Sequence, residues 1–180
     1  MTDLTDPTAF PIEFDPRTER MSGTTNIGRL YFDVPFISHV MDNLWQGGCE
    51  RGLILPEEIK HVISLYKWER YTVNHDLLSF TEVTAYDSSD GDGLGGMGAK
   101  QVLDLAAKVN QCRKEAPTLV HCQAGLNRSS LIAGTALVLN GDVASGAEAV
   151  ALLREKRSPA VLCNPAFESW LRNLGNDTVS

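Results

Sequence analysis

A cysteine and an arginine six positions apart lie in one short segment between two apolar runs. Cys122 follows the run 118–121, and Arg128 precedes the run 131–139. A thiolate is a strong nucleophile at neutral pH when nearby positive charge stabilises it. The guanidinium of arginine is a planar fork that matches two oxygens of a phosphate group, which lysine cannot reproduce. The pair therefore indicates attack by sulfur on a bound phosphoryl group.

The residues between Cys122 and Arg128 indicate an anion-binding loop. Together with Arg128, the residues expected to bind phosphate are Gln123, Ala124, Gly125, Leu126 and Asn127. Successive backbone N–H groups in such a loop converge on one anion, and the N-terminus of a following helix adds unpaired N–H groups. Gly125 allows the backbone to turn where a Cβ would obstruct it. The predicted unit is a strand, a phosphate loop and a helix.

Two neighbours of this loop are expected to assist the chemistry. Ser129 offers a hydroxyl that can stabilise the departing thiolate in a second step. His121 can orient the loop through hydrogen bonds to its carbonyl groups. A buried structural cysteine beside a surface arginine would not account for His121 and Gly125 at their positions.

The pattern His-Cys-x-x-Gly-x-x-Arg-Ser, at residues 121–129, resembles the signature of the protein tyrosine phosphatase superfamily. Residues 36–174 resemble its dual-specificity branch. The run Asn43-Leu-Trp-Gln-Gly-Gly is similar to an early strand of that branch, and Arg157-Ser-Pro-Ala and Asn164-Pro-Ala-Phe are similar to its late segments. The resemblance implies a cysteine-phosphatase fold and hydrolysis of phosphotyrosine, with phosphoserine and phosphothreonine as further substrates, through a phosphocysteine intermediate.

The same resemblance implies a catalytic aspartate upstream of the loop. It would protonate the leaving oxygen and then activate the water that hydrolyses the phosphocysteine. Asp87, at the end of the extended run 79–86, is the first candidate, and Asp90 and Asp92 follow in that order. The Asp90-Gly-Asp-Gly stretch lacks the closing glutamate of a calcium loop. No metal site and no cofactor are expected.

The composition limits the partners that are expected. The 180 residues carry a net charge of −7. Clustered Lys and Arg bind nucleic acid and anionic lipid, so no extended surface for either is expected. No apolar run approaches the roughly 20 residues of a membrane span, and the acidic, proline-containing start is unlike a secretory signal. We expect a cytoplasmic monomer that acts on phosphorylated proteins and keeps its four cysteines as free thiols.

The elements that must position the site are those of an α/β domain. Residues 1–30, rich in Thr, Asp and Pro, are predicted to be an irregular or partly ordered arm, and residues 31–180 to be the catalytic domain. Strands are predicted at 36–40, 43–46, 61–65, 79–86 and 118–121, and helices at 99–115, 129–139, 145–157 and 164–174, with a short helical turn at 56–59. This alternation predicts a central, partly parallel mixed sheet flanked by helices.

Other functions remain open from the sequence. Asn127 before Arg128 resembles RNA 5′-phosphatases of the same superfamily, although the acidic balance of the chain disfavours an RNA path. A non-catalytic module that binds phosphoproteins is a second alternative, and a sulfurtransferase a third. The cluster 67–71 superficially resembles a phosphotyrosine-recognition loop, but we interpret it as a solvated loop.

Overall fold

The computed structural model describes residues 12–68, 71–88 and 93–175. Residues 1–11 of the predicted arm, and the candidate acids Asp90 and Asp92, lie outside this part of the chain.

The described residues form seven strands and four helices. In chain order they are β1 (Arg20–Thr24), β2 (Tyr31–Pro35), β3 (Ile37–Met41), β4 (Leu44–Gly47), β5 (His61–Ser64), β6 (Ser79–Glu82), α1 (Gly98–Glu115), β7 (Thr118–His121), α2 (Arg128–Leu139), α3 (Gly146–Lys156) and α4 (Pro165–Asn173). Within the described residues, no helix has both the length and the apolar character needed to cross a bilayer.

Five of the strands form one mixed sheet in the order β3-β4-β7-β5-β6. Only β3 and β4 pair antiparallel, and the other neighbours run parallel. The register aligns the carboxyl ends of the four parallel strands, because Gly47 pairs with His121, His121 with Ser64, and Ser64 with Glu82. The mixed sheet flanked by helices confirms the predicted fold class. It also brings Cys122, the residue after β7, to the middle of this edge.

The centre of the sheet is buried on both faces. Every residue of β5 and of β7 is buried, which is typical of parallel strands covered by helices. Helix α2 is buried along nearly its whole length, from Ser129 to Leu137. It packs against α1, α3 and α4. The helix that follows the phosphate loop is therefore a fixed part of the core.

Within residues 1–30, predicted to be an irregular or partly ordered arm, Arg20–Thr24 form a strand that was not predicted, β1, which pairs antiparallel with β2. Apart from Met21, the side chains of β1 are short or polar, and they alternate between exposed and half-buried, so the sequence pattern carries almost no apolar signal. Residues before β1 also contact the sheet, since the Ile37 N–H donates to the Pro16 carbonyl at 3.0 Å. The separation of residues 1–30 from 31–180 stays a prediction.

The helical turn predicted at 56–59 is a turn closed by one bond from the Ile59 N–H to the Pro56 carbonyl. Helix α3 begins with one of the two hydrogen bonds of a capping box. Ser145 accepts from the Glu148 N–H at 3.2 Å, whereas the Glu148 carboxylate accepts from the N–H of Ala144 at 2.8 Å.

Substitution of Gly146 by alanine is expected to destabilise the fold through a backbone clash between α3 and α4. A Cβ at this position would lie 1.7 Å from the Leu171 carbonyl oxygen, and the helices would have to move apart. We expect Gly146→Ala to lower the free energy of unfolding by about 3 kcal/mol, the upper end of overpacking costs. Urea unfolding measures this. The control is Ala147→Ser on the exposed side of the same turn, and an equal effect of the two would contradict the packing described.

Candidate active site

The loop between β7 and α2 is seated on the end of β4. The Cys122 N–H donates to the Gly47 carbonyl at 3.1 Å, and the Cys49 N–H donates to the Gln123 carbonyl at 3.0 Å. Gly125 has φ +68°, and a Cβ there would lie 2.3 Å from the Gly47 carbonyl carbon. No residue other than glycine fits at 125 without displacing one of the two backbones.

Every carbonyl group of the loop accepts a hydrogen bond from outside the loop. The donors are His121 Nδ1 for Cys122, the Cys49 N–H for Gln123, Arg157 for Ala124, Gln46 and Arg157 for Gly125, the Leu162 N–H for Leu126 and the Leu131 N–H for Asn127. In contrast, the N–H groups of residues 123–127 donate to no other described residue. Asn127, the N-cap of α2, makes no side-chain cap. The loop therefore presents donors to an anion and hides its acceptors.

Gln46 connects the loop to the start of α2. It is fully buried, and its Nε2 lies 2.7 Å from the Gly125 carbonyl and 2.9 Å from the Oγ atoms of Ser129 and Ser130. The Ser129 Oγ is also 3.3 Å from Cys122 Sγ. Because an amide N–H already donates to this hydroxyl oxygen, the hydroxyl proton is free to point at the sulfur. The Ser129 hydroxyl is therefore within reach of the sulfur of Cys122.

His121 is buried beside the loop in its neutral form. Burial lowers the pKa of His121 to about 4, since a charged imidazole is poorly solvated there. Its Nδ1 lies 3.2 Å from the Cys122 carbonyl, which only accepts, so Nδ1 carries the proton. Its Nε2 then accepts from the Tyr71 hydroxyl at 2.8 Å. The predicted bond from His121 to a loop carbonyl is thus present in the structure.

The guanidinium of Arg128 lies at the ends of the parallel strands, and one of its buried donors has no partner among the described residues. Its Nη1 donates to the Ala85 carbonyl at 3.2 Å, and the guanidinium carbon lies 5.5 Å from the ring centroid of Tyr66. The Nε is buried and has no hydrogen-bond partner among the described residues. A buried unpaired donor costs roughly 1–3 kcal/mol. An oxyanion bound next to Cys122 would offset that cost.

Asp87 lies at the loop. Its Oδ2 accepts from Asn127 Nδ2 at 2.8 Å, and its Oδ1 accepts from Asn164 Nδ2 at 3.0 Å. Both amides are buried, whereas Asp87 is exposed. The first candidate acid is therefore fixed by two neutral donors at the edge of the site.

A cavity of about 320 Å³ opens over Cys122. The residues that line it come from the β1–β2 hairpin, from the loop and from its surroundings: Thr24, Thr25, Asn26, Ile27, Phe32, Asp87, Cys122, Gln123, Ala124, Leu126, Asn127, Arg128 and Cys163. Of the residues predicted to bind phosphate, Gly125 is the one that does not line the cavity. The Gly125 carbonyl group instead accepts hydrogen bonds from Gln46 and Arg157, on the side of the loop that faces the protein interior.

Several residues around the site were not identified from the sequence: Gln46, Tyr66, Tyr71, Arg157 and Asn164. Of these residues, Gln46 could have been found from the sequence, because it is a polar residue inside an otherwise apolar strand. The interpretation of 67–71 as a solvated loop is wrong for Tyr71, which donates to His121. It holds for Trp68, which is 69% exposed.

One family model matches the second half of the chain. Residues 92–172 match the family model described as protein-tyrosine phosphatase. The match spans 81 of the 180 residues. The expectation of a cysteine-dependent protein phosphatase is confirmed at this level. A search of curated proteins gives no match.

Solved phosphatase structures share the fold. Human DUSP28 has a TM-score of 0.63 at 18% identity, with 81% of this chain and 97% of that chain covered. A mouse putative dual specificity phosphatase, complexed with zinc tungstate, has a TM-score of 0.58 at 16% identity, with coverage of 77% and 87%. The human tyrosine phosphatase-like serine/threonine/tyrosine-interacting protein has a TM-score of 0.59 at 13% identity, with coverage of 80% and 98%. At these identities the likeness concerns the fold.

The buried neutral form of His121 predicts a pH-dependent contribution to the stability of this phosphatase. Between pH 6.5 and about 4 the unfolded chain binds a proton at this imidazole and the folded chain does not. The contribution is therefore fully present above pH 6.5 and is lost as the pH falls to about 4, on the order of 3 kcal/mol in total.

The test compares the parent protein with His121→Gln, which keeps an amide near Tyr71 and the Cys122 carbonyl. The destabilisation caused by His121→Gln, measured by urea unfolding, is expected to be larger at pH 7.5 than at pH 4.5. His39→Gln, at an exposed histidine, controls for the loss of one imidazole. A destabilisation by His121→Gln that is the same at both pH values would contradict the assignment of burial as the cause.

Proposed function

We propose that this chain hydrolyses phosphotyrosine in proteins, with phosphoserine and phosphothreonine as further substrates, through a phosphocysteine intermediate on Cys122. One observation carries the proposal. Cys122, Arg128 and four loop residues whose N–H groups donate to no described residue (Gln123, Ala124, Leu126 and Asn127) line one cavity, and the Nε of Arg128 is buried without a partner among the described residues. A tetrahedral phosphoryl group with three anionic oxygens satisfies these donors and leaves its phosphorus open to the sulfur.

In the first step the Cys122 thiolate attacks phosphorus, the bond from phosphorus to the tyrosyl oxygen breaks, and Asp87 gives that oxygen its proton. The loop N–H groups and Arg128 bind the equatorial oxygens throughout. In the second step a water attacks phosphorus and passes a proton to the Asp87 carboxylate, and the bond from phosphorus to sulfur breaks. The Ser129 hydroxyl stabilises the thiolate that leaves, from 3.3 Å.

The position of Asp87 supports its role as the acid. Asn127 belongs to the loop and Asn164 caps α4, so both donors that hold the carboxylate belong to fixed elements. Asp87 also lines the cavity over Cys122, where the leaving oxygen of a bound substrate would lie. Asp90 and Asp92 remain the alternatives.

The hairpin wall supports an aromatic substrate. Phe32 lines the cavity opposite the loop, and an aromatic side chain there can pack against a phenyl ring at about 0.5–1.5 kcal/mol beyond simple burial. A phosphoseryl side chain has no ring to make this contact. We therefore rank phosphotyrosine first.

Two other functions are disfavoured by particular observations. The Asn127 that resembles RNA 5′-phosphatases binds Asp87 and the Asn164 N–H in this chain, and the net charge of −7 disfavours an RNA path. A module that binds without turnover would not need both Cys122 and Arg128.

Free thiols at all four cysteines suit a reducing compartment. We therefore propose a cytoplasmic monomer whose catalytic residues lie within 31–180.

The test is hydrolysis of a panel of substrates by the purified full chain in excess EDTA. The panel contains phosphotyrosyl, phosphoseryl and phosphothreonyl peptides, a phosphoinositide and an RNA 5′-phosphate. We expect the highest kcat/KM on the phosphotyrosyl peptide. Cys122→Ser is expected to abolish turnover and to retain phosphate binding, because a hydroxyl is a far weaker nucleophile. Turnover in this variant, or a preference for RNA, would refute the proposal.

Asp87→Asn tests the acid. We expect a loss of roughly 10²- to 10⁴-fold in kcat on phosphotyrosine, whose phenolate leaves poorly without a proton. The loss should shrink on an aryl phosphate with an acidic phenol, because that leaving group needs no proton. Asp90→Asn and Asp92→Asn are the matched controls, and a leaving-group dependence confined to Asp90→Asn would move the role to Asp90.

A further inference from the structure

Arg157, at the C-terminal end of α3, is a buried arginine that binds the back of the phosphate loop. It is 6% exposed. Its Nε donates to the Gly125 carbonyl at 2.6 Å and its Nη2 to the Ala124 carbonyl at 2.9 Å. Its Nη1 donates to the Pro35 carbonyl at 2.8 Å and to Ser38 Oγ at 3.0 Å. One guanidinium thus joins the loop to the end of β2 and to β3.

These two loop contacts determine which way the peptide groups face. In a trans peptide the carbonyl and the N–H point in opposite directions. A donor that binds the carbonyls of residues 124 and 125 from outside therefore turns the N–H groups of residues 125 and 126 toward the cavity. Those N–H groups are among the donors that a bound anion needs.

The charge of Arg157 has no carboxylate partner among the described residues. Its neighbours are neutral: carbonyl groups, the Ser38 hydroxyl and the Met21 sulfur at 3.6 Å. A buried, unpaired cation costs several kcal/mol, and burial lowers the pKa of Arg157 to about 10. The Cys122 thiolate acts in the opposite direction, as the anion that interacts favourably with this cation.

We infer that Arg157 is a positioning residue of this site, which aims the loop N–H groups at a phosphate ion and supplies a buried charge that favours the thiolate of Cys122. The inference deepens the proposed function and rests on it. The other charged or titratable groups that face Cys122 are Arg128 from the loop, Asp87 and Cys163 across the cavity, and neutral His121 from β7. None of these contacts the carbonyls of 124 and 125.

The experiment measures the rate at which iodoacetamide alkylates Cys122 between pH 5 and pH 9. Mass spectrometry of the Cys122 peptide separates it from the other cysteines. The same assay with inorganic phosphate added gives the phosphate concentration that halves the rate, and neither readout requires turnover. Lys156→Met is the matched control, because Lys156 is an exposed cation in the last turn of the same helix.

Two substitutions separate charge from geometry. Arg157→Met removes both, and we expect alkylation at pH 6 to slow about tenfold and phosphate protection to weaken about tenfold. Arg157→Lys keeps the charge and loses the fork, so alkylation should stay within about twofold of the parent while phosphate protection still weakens. Lys156→Met should change neither readout.

Circular dichroism and urea unfolding establish that each variant is folded. Should Arg157→Met not fold, Ser38→Ala, which releases one anchor of the guanidinium, is expected to weaken phosphate protection about twofold with alkylation unchanged. The inference is overturned if the Arg157 variants fold and their Cys122 is alkylated, and protected by phosphate, as in the parent. If those variants do not fold, the inference is overturned when Ser38→Ala leaves phosphate protection at the parent value. A parent protein that hydrolyses no phosphoester would refute the proposed function while leaving this comparison intact.

Discussion

The carbonyl groups of the loop accept hydrogen bonds from residues outside it, and the rest of the site depends on this constraint. A backbone loop can present several N–H groups to one anion only if its carbonyl groups are bound elsewhere, because unpaired carbonyls would repel the anion and cost free energy when buried. The donors here come from β4, from the segment after it, from α3 and from the segment before α4. The shape of six residues is therefore set by contacts from most of the domain.

The second condition is that the residues of the site lie close together, and the sheet provides it. Four parallel strands end in register, and the polar contacts of the site lie just past those ends. Arg128 reaches the Leu65 and Ala85 carbonyls, which follow β5 and β6. The guanidinium is thereby positioned by the same edge that holds Cys122. Helix α2, buried between its neighbours, keeps Ser129 and Ser130 at fixed distances from Gln46.

The sequence predicted the parts of this arrangement that are local. Cys122, Gly125, Arg128 and Ser129 lie within one segment, and the apolar runs on either side identify the strand and the helix. The contacts of Gln46 and Arg157 with Gly125 join residues far apart in the chain, so no spacing pattern indicates them. Strand β1 was not predicted because one of its faces is solvated and its residues other than Met21 are short or polar.

The β1–β2 hairpin forms a sheet of its own, separate from the five-stranded sheet, and its turn supplies one wall of the cavity. Within the turn, the Thr25 hydroxyl donates to the Ile27 carbonyl at 2.6 Å and accepts from the Leu30 N–H at 2.9 Å, so the turn is closed by its own bonds. Residues Thr24–Ile27 contribute no donor to the loop carbonyls. Substitutions in this turn, whether they arise by divergence or by design, can therefore change which phosphorylated side chains the cavity accepts. The residues that carry out the reaction would stay the same.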